Sequence, residues 1–428
     1  MAAVSTSGDN AVLVDGLARL GWSPDRLARE INRVCGPGTI SNKAPYHWMR
    51  GVKPRVPMRS VVAMILSEHL CETIDVNDLW PSTRTPSDVH VVWSSADGPA
   101  QSWFGDAVVA AIDWLVTPTR RPAQRHDGPP VDAAMLAALQ DRVDQLRALG
   151  EGGDGSPLLT EWGIHDLRWA QRLLVKGSYD KETALALVRV IAELAHLVGW
   201  LCAHANQWEK ARKYLAIGLD AVARSGDRGL GGYIVACLGY VCLRAGETDK
   251  ADQLLKIARK GCAGLPPSPG LALMATRQAQ VHALRGELGP CRSRVDEAAR
   301  LLAGARPAAI TPWNSWISSA VLRGEAGRAW LDLGLLDEAE RDLLAAVGGL
   351  GDGLPTMRAL YLASLAEARL RLGRIGGAAD AALDALTPHR DSAWCRARLA
   401  RLGVAFAESR EVAAREAVLR IGEWLTAN

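Results

Sequence analysis

The feature that most constrains the fold is a set of small residues that recurs about every 40 residues along the second half of the chain. One column of small residues holds Ala211, Ala251, Cys291, Ala339 and Ala378, at intervals of 40, 40, 48 and 39. Twelve residues before each of these lies a second small residue, namely Gly199, Gly239, Ala279, Gly327 or Ala366. Five residues before each lies a turn-forming residue, namely Asn206, Gly246, Gly286, Gly334 or Gly373. Small residues on both sides of a short turn let two antiparallel helices approach closely, and one such pair cannot bury its apolar face alone. The spacing therefore predicts stacked helix pairs over residues 185–390.

This pattern resembles the tetratricopeptide repeat. The family's first-helix glycine is matched by Gly199, Gly239 and Gly327, whereas Ala279 and Ala366 depart from it. Its second-helix alanine is matched at four of the five positions, and Cys291 departs. The usual repeat has about 34 residues, so these units are long, and the proline-rich segments 265–270 and 306–312 account for the excess. The resemblance implies an α-solenoid that binds a ligand or partner and mediates self-association.

Size and composition set outer limits on function. A chain of 428 residues predicts two or three domains, and a net charge of +3 means that any nucleic-acid binding must depend on a local patch. The eight cysteines lack zinc-ligand spacing, so we expect buried free thiols. Residues 1–10 are polar and contain no signal-peptide core. The apolar stretch 184–203 is interrupted by Arg189 and Glu193, so we expect a cytoplasmic protein without a membrane span.

Residues 11–80 predict four or five short helices. Ser23 followed by Pro24 is a helix start signal, and the Gly-Pro-Gly run 36–38 ends that second helix. A third helix is predicted for residues 42–50, a fourth for 56–70, and a closing turn for 76–80. Between residues 26 and 59 there are eight Lys or Arg side chains and a single carboxylate, Glu30, a local net charge of +7. A basic face on a small helical unit is the electrostatic footprint of duplex DNA.

The third helix separates polar from apolar residues. Lys43, Tyr46, His47 and Arg50 form one exposed stripe, while Trp48 and Met49 point toward the core. A helix with long polar donors on one stripe can enter a major groove, with nearby cations holding phosphates. The predicted DNA-binding residues are Asn42, Lys43, Tyr46, His47, Arg50, Lys53, Arg55 and Arg59. The alternative is a solvated basic face on a helical cap.

The N-terminal unit also resembles a helix-turn-helix of the phage-repressor-like class. The resemblance is carried by Leu27-Ala28, Trp48-Met49-Arg50-Gly51 and Pro54-Arg55, and, with the later Leu79-Trp80-Pro81, it extends to actinobacterial regulators that join this module to tetratricopeptide repeats. Two features depart from the pattern: about ten residues (35–44) separate the helices where three or four are usual, and Pro45 lies in the first turn of the third helix. Both features affect the angle at which the third helix would dock on DNA.

The composition of the middle of the chain predicts segments that connect the two ends. Residues 82–99 have the composition of a linker, a helix is predicted for 102–116, and 118–130 is predicted as a second flexible connection carrying Arg120, Arg121 and Arg125. A helix predicted for 131–149 would begin the repeats or mediate dimerisation. The predicted domains are a DNA-binding unit at 1–81, a linker with one helix at 82–130 and a repeat domain at 131–428, with residues 393–424 capping the array.

The residue after each small first-helix position is predicted to line the concave groove of the repeats. The predicted ligand-binding residues are His196, Trp200, Tyr233, Tyr240, Gln280, Arg328 and Glu367, with Glu193 and Arg277 as second-rank candidates. Such a groove could hold an extended peptide or a small amphipathic ligand. The alternative is that these side chains fill the groove or meet water. Trp313 and Trp316 would cap the core or form a lip of the groove.

The sequence contains none of the common catalytic motifs, so we expect no enzyme, no cofactor and no metal site. The expected function is a homodimeric, all-α DNA-binding regulator whose repeats sense a peptide, a small molecule or a protein partner. The resemblance implies control of development or secondary metabolism. The alternative is an adaptor that does not bind DNA and uses the repeats as a scaffold for proteins.

Overall fold

The computed structural model describes residues 10–72, 74–81, 103–119, 121–152, 157–351, 353–386 and 392–426. These residues form twenty α-helices, one short 3₁₀ turn and two isolated β-bridges, and they contain no β-strand. The all-α class predicted from the sequence is confirmed. The helices are α1 Ala11–Arg19, α2 Pro24–Cys35, α3 Ala44–Met49, α4 Val56–Leu70, α5 Val76–Leu79, α6 Trp103–Val116, α7 Ala133–Gly152, α8 Pro157–Lys176, α9 Lys181–His204, α10 Trp208–Ser225, α11 Arg228–Arg244, α12 Thr248–Gly261, α13 Pro269–Leu284, α14 Leu288–Ala303, α15 Ser319–Leu333, α16 Leu336–Gly349, α17 Pro355–Arg371, α18 Ile375–Asp384, α19 Ala393–Ala407 and α20 Val412–Thr426.

The N-terminal bundle, α1–α5, contains the helices predicted for residues 11–80. The Ser23 side chain accepts a hydrogen bond from the Arg26 amide and Pro24 occupies the first turn, as the start signal of α2 predicts. Asn10 caps α1 and also donates to the Leu79 carbonyl at 2.7 Å, which ties the first helix to the last. The buried side chains are mainly aliphatic, and Trp48 and Trp80 meet edge to face at 6.5 Å between ring centroids.

The helix predicted inside the linker is a packed element. Helix α6 contacts α4 of the bundle on one side and α10, α11 and α12 on the other. Its Asp113 accepts a hydrogen bond from Ser60 of α4, and its Trp114 is buried. Lys260 of α12 also pairs with Glu68 of α4. The bundle is thus joined to the repeats through α6. Residues 82–99, where the sequence predicts a linker, lie outside the described residues.

The second predicted connection, 118–130, is also not a free linker. Arg125 forms an antiparallel bridge with Tyr179, and Pro130 a parallel bridge with Ser178, in the turn between α8 and α9. Gly128, at φ 111°, approaches the backbone of residues 176 and 177 so closely that a Cβ would lie 1.8 Å from the Lys176 carbonyl oxygen. Only glycine fits this contact, which lies at the turn between α8 and α9.

Five helix pairs occupy the region of the recurring small residues, namely α9/α10, α11/α12, α13/α14, α15/α16 and α17/α18. All five predicted turn residues have left-handed backbone, with φ between 56° and 81°. The small residues mark close helix approach, because a Cβ at Gly199 would lie 2.8 Å from Leu215 Cγ and one at Gly327 would lie 2.7 Å from Leu343 Cγ. The first helix of each pair also contacts the first helix of the next pair.

The last described segment reaches back to the first pair. Helix α19 packs on α17 and α20, yet its Trp394 lies against Trp200 of α9 and Tyr240 of α11, with ring centroids 5.8 Å and 5.4 Å away. Helix α7 contacts α17 as well as α9. The predicted terminal cap therefore also closes the space between the first and last pairs. We call this space, bounded by α7, α9, α11, α13, α15, α17 and α19, the interior chamber.

Helix α9 has the length and apolar composition of a membrane span, alone among the described helices. However, 67% of its most apolar window is buried inside the protein, against α7, α8 and α10. It is therefore a core helix of the fold. All eight cysteines are free, and seven of them are buried as predicted, while Cys71 is exposed.

Candidate functional site

The long turn before α3 is held by side-chain hydrogen bonds. Asn32 of α2 donates to the Ile40 carbonyl at 3.0 Å and accepts from the Ile40 amide at 2.9 Å. The Thr39 hydroxyl donates to the Gly36 carbonyl, and glycines 36 and 38 adopt the left-handed backbone that the turn requires. The extra residues relative to a three- or four-residue turn thus form a braced loop that fixes the start of α3.

Helix α3 presents its polar stripe to solvent. Five of the predicted DNA-binding residues at this helix are exposed, namely Asn42, Lys43, Tyr46, His47 and Arg50, and Lys53 and Arg55 beyond its end are exposed too. On the opposite side, Pro45 and Trp48 are buried. Pro45 therefore serves as a core contact of this short helix. We call these seven exposed residues the basic face.

Three members of the predicted set have partners within the bundle. The Tyr46 hydroxyl donates to Asp25 at 2.7 Å, and this hydrogen bond raises the pKa of the tyrosine. The Lys53 ammonium donates to the Pro81 carbonyl at 2.8 Å. Arg59 is half-buried and donates to the Pro54 carbonyl, and burial lowers the pKa of its guanidinium. Arg59 thus lies apart from the basic face and stabilises the turn before α4.

The acidic residues of the bundle leave most of the basic face uncompensated. Glu30 pairs with Arg33 and lies 3.5 Å from His69 of α4, so its charge is engaged by these two residues and not by the basic face. The hydrogen bond from Arg33 outweighs burial and holds the pKa of Glu30 below its usual value. Among the described residues, Lys43, His47 and Arg50 form no salt bridge. A phosphate could approach these three side chains without displacing a carboxylate.

The second candidate site is the interior chamber. The structure brings together six of the seven predicted groove residues there, and five of them are buried, namely His196, Tyr233, Tyr240, Gln280 and Arg328. Trp200 is half-buried, and its ring lies 5.8 Å from that of Tyr240. Glu367, at the far end, pairs with Arg398 of α19 at 2.6 Å. Helix α19 thus covers part of the expected groove, through Trp394 at one end and Arg398 at the other.

A polar network crosses the chamber. Arg328 donates to the Tyr240 hydroxyl and to Glu325, both at 3.1 Å. Glu325 also accepts from Gln280 at 2.5 Å and from the Tyr361 hydroxyl at 3.1 Å. Burial alone would raise the pKa of Glu325, but the guanidinium charges and these hydrogen bonds hold it below its usual value. The carboxylate is therefore charged and fully engaged at neutral pH.

Aromatic rings line the rest of the chamber. The Tyr233 ring lies 4.9 Å from His196 and 4.8 Å from Trp313, and Trp394 lies 4.2 Å from His204. A cavity of about 70 Å³ opens between α7, α9, α11 and α17. It is lined by aliphatic side chains and Arg147 as well as by the rings of His196, Trp200, His204, Tyr233, Trp313 and Trp316. Trp313 and Trp316, which the sequence predicts as a cap or a lip, form one wall of this cavity. Flat apolar groups are suited to such a lining.

Several chamber residues escape the sequence analysis. Glu325 lies three residues before Arg328 on the same helical face, which is a local signal for a pair. Tyr361 fills the space left by Gly324, whose Cβ would lie 2.2 Å from the tyrosine ring. Trp394 and Arg398 have no comparable signal, because α19 lies outside the small-residue register. Glu193, a second-rank candidate, pairs with Arg147 of α7 at the edge of the chamber.

No protein-family model matches the sequence, and no curated protein aligns with it significantly.

Proposed function

We propose that this protein is a cytoplasmic, homodimeric transcriptional regulator. Its N-terminal bundle acts as a helix-turn-helix unit that binds double-stranded DNA through the basic face, and its helix pairs act as a solenoid of the tetratricopeptide type that senses a ligand or partner. The observation that carries the proposal is the two-sided character of α3. Polar and cationic side chains cover its outer surface, while Pro45 and Trp48 hold its inner surface in the core. An exposed helix of this kind can enter a major groove.

Helix α11 links the two proposed sites. Near its start, Arg228 donates to the Trp114 carbonyl of α6 at 2.9 Å, and the Trp114 ring packs against Gly231. Further along, Tyr233 and Tyr240 of α11 line the interior chamber. A ligand that shifts α11 therefore acts on α6, which carries the bundle. In a homodimer, such a shift changes the distance between the two basic faces, and with it the half-site spacing that fits on DNA.

A salt series on the full chain tests DNA binding. The equilibrium constant for a fluorescent duplex made from a genomic fragment is measured from about 50 to 200 mM salt. Four cations of the basic face predict a slope of log K against log salt of about −3 to −4 per protomer, because each phosphate contact contributes about −0.9. Arg50→Ala is expected to weaken binding and to reduce the slope by about one.

A matched control separates the basic face from general charge. Lys181→Ala removes an exposed cation at the start of α9, far along the chain from the bundle, and is expected to leave affinity and slope unchanged. Absence of duplex binding at the lowest salt, or equal losses in the two variants, would refute the DNA-binding role.

The alternative function is an adaptor that uses the same bundle to bind protein. It is supported by the partners that Tyr46 and Lys53 already have within the bundle. Under this alternative, the duplex does not bind, and sequencing of DNA recovered with the protein from cells yields no enriched site.

A further inference from the structure

Buried hydrogen-bond donors without acceptors gather at one side of the interior chamber. Arg277 of α13 is 3% exposed, and its Nε and Nη1 atoms find no partner among the described residues. The two ring nitrogens of His204 also have no hydrogen-bond partner among the described residues, and the same is true of the Nε1 of Trp394. Buried polar groups in folded proteins are almost always paired, so each such group calls for an explanation. Arg277, Trp394 and the N–H group of the neutral His204 ring thus all lack acceptors.

The charge of Arg277 is also without a close counter-ion. Its guanidinium lies 4.0 Å from the Tyr240 ring centroid and 5.3 Å from that of Trp200, which favours the cation but leaves its N–H edge free. Glu325, whose pKa the charges of Arg328 and Arg277 help to lower, is already engaged by Arg328 and by two further hydrogen bonds. Among the described residues, no carboxylate lies within 4.0 Å of Arg277.

An apolar cavity adjoins these donors. It encloses about 70 Å³, and Trp200 and His204 form its boundary toward Arg277 and Trp394. A volume of this size holds roughly five or six water-sized groups, which is the size of one aromatic ring. Its other walls combine aliphatic side chains with the rings of Tyr233 and Trp313, and Arg147 of α7 also lines it. The volume of this cavity suits a small molecule better than an extended peptide.

We propose that the interior chamber binds a small aromatic carboxylate. The carboxylate accepts hydrogen bonds from Arg277, His204 and Trp394, and the ring occupies the cavity beside His196 and Tyr233. This supplies the missing acceptors and a counter-ion, and it leaves the Glu325 network intact. The proposed binding site depends only on the residues of the interior chamber. A signalling role for the bound ligand rests on the proposed regulatory function.

Benzoate is the probe that combines the two required features. The full chain is titrated with sodium benzoate at constant ionic strength, without DNA, and binding is followed by tryptophan fluorescence and by the rise in Tm. We expect a saturable response. Benzamide keeps the ring without the charge, and acetate keeps the carboxylate without the ring, so each is expected to bind at least tenfold more weakly.

Variants test the donors directly. Arg277→Gln removes the charge and is expected to weaken benzoate binding about 10- to 100-fold, the loss typical of a charge-assisted hydrogen bond. Trp394→Phe keeps a ring and removes only the N–H group, so it tests the same contact with little risk to folding and is expected to weaken binding severalfold. Arg323→Gln, on an exposed surface of α15, is the matched control and is expected to bind as the unaltered chain does.

Three outcomes would overturn the inference: a response to benzoate no different from that to chloride, benzamide binding as tight as benzoate, or undiminished benzoate binding by both Arg277→Gln and Trp394→Phe. Because DNA is absent, these outcomes are independent of the salt series. A chain that binds DNA but not benzoate refutes only the ligand site, and a chain that binds benzoate but not DNA refutes only the regulatory function.

Discussion

Two buried histidines are expected to make the stability of the protein depend on pH in the weakly acidic range. His196 and His204 both lie in the interior chamber and are 5% and 7% exposed. Burial, together with the charges of Arg147 and Arg277, lowers the pKa of His196 to about 3. Burial, with Arg277 and Arg244, lowers the pKa of His204 to the same value. Both side chains are therefore neutral in the folded protein at any pH near neutrality.

The magnitude of this pH dependence follows from the difference in histidine pKa between the folded and the unfolded chain. An unfolded histidine has a pKa of about 6.5, so it takes up a proton as the pH falls below that value, while the folded side chain does not until about pH 3. The contribution of these two histidines to stability is thus present above pH 6.5 and is lost progressively between pH 6.5 and 3. Between pH 7.5 and 5.0, each histidine is expected to lower the free energy of unfolding by about 2 kcal/mol, or about 4 kcal/mol together.

Urea unfolding followed by circular dichroism at pH 7.5, 6.0 and 5.0 measures this loss. Carboxylates also titrate in this range, so the test is the comparison with variants. His196→Asn and His204→Asn are each expected to lose about 2 kcal/mol less than the unaltered chain on going to pH 5.0. His126→Asn, an exposed control, is expected to keep the full pH dependence. If both buried-site variants lose as much stability as the control does, the two histidines do not stay neutral in the folded chamber.

Three further substitutions test the packing described above. Gly231→Ala places a Cβ 2.4 Å from the indole of α6 and is expected to destabilise the junction by about 1–3 kcal/mol in thermal unfolding, whereas Gly229→Ala on the same helix meets only ordinary contacts and should be neutral or slightly stabilising. Glu325→Gln leaves a buried guanidinium without its charged partner and is expected to cost about 3–5 kcal/mol in urea unfolding, against less than about 1 kcal/mol for Glu338→Gln in a surface pair. Asn32→Ala removes both hydrogen bonds that brace the loop before α3 and is expected to cost the bundle about 1–2 kcal/mol and to weaken duplex binding; unchanged values would mean that the loop is held in another way.

The features that the sequence predicts well are set by local geometry. A turn with left-handed backbone requires glycine or asparagine, so Gly246 and Asn206 mark their turns without knowledge of the rest of the fold. Close helix approach requires a missing side chain, so Gly199 identifies its contact with the paired helix. The cap of α2 and the polar stripe of α3 are likewise properties of a few consecutive residues.

The features that the sequence does not predict depend on distant segments. The linker composition around α6 gives no hint that Asp113 meets Ser60 and that Trp114 meets α11 and α12. The repeat register predicts which side chains point to the concave side, but not that Trp394 enters the same space from α19. Arg59 has the charge expected of a phosphate contact, and only the position of the Pro54 carbonyl explains why it turns inward.

The contacts of Trp394 with Trp200 and Tyr240 also determine when this part of the fold can be completed during synthesis. Its ring partners on α9 and α11 leave the ribosome long before α19 does, so the aromatic surface that it covers is open until the last helices emerge. Contacts between such distant parts of a chain form late, because the entropy of closing so large a loop must first be overcome. A nascent chain, or a product that ends before α19, would therefore carry a complete N-terminal bundle together with an unsealed aromatic surface, which makes it a substrate for chaperones and proteases.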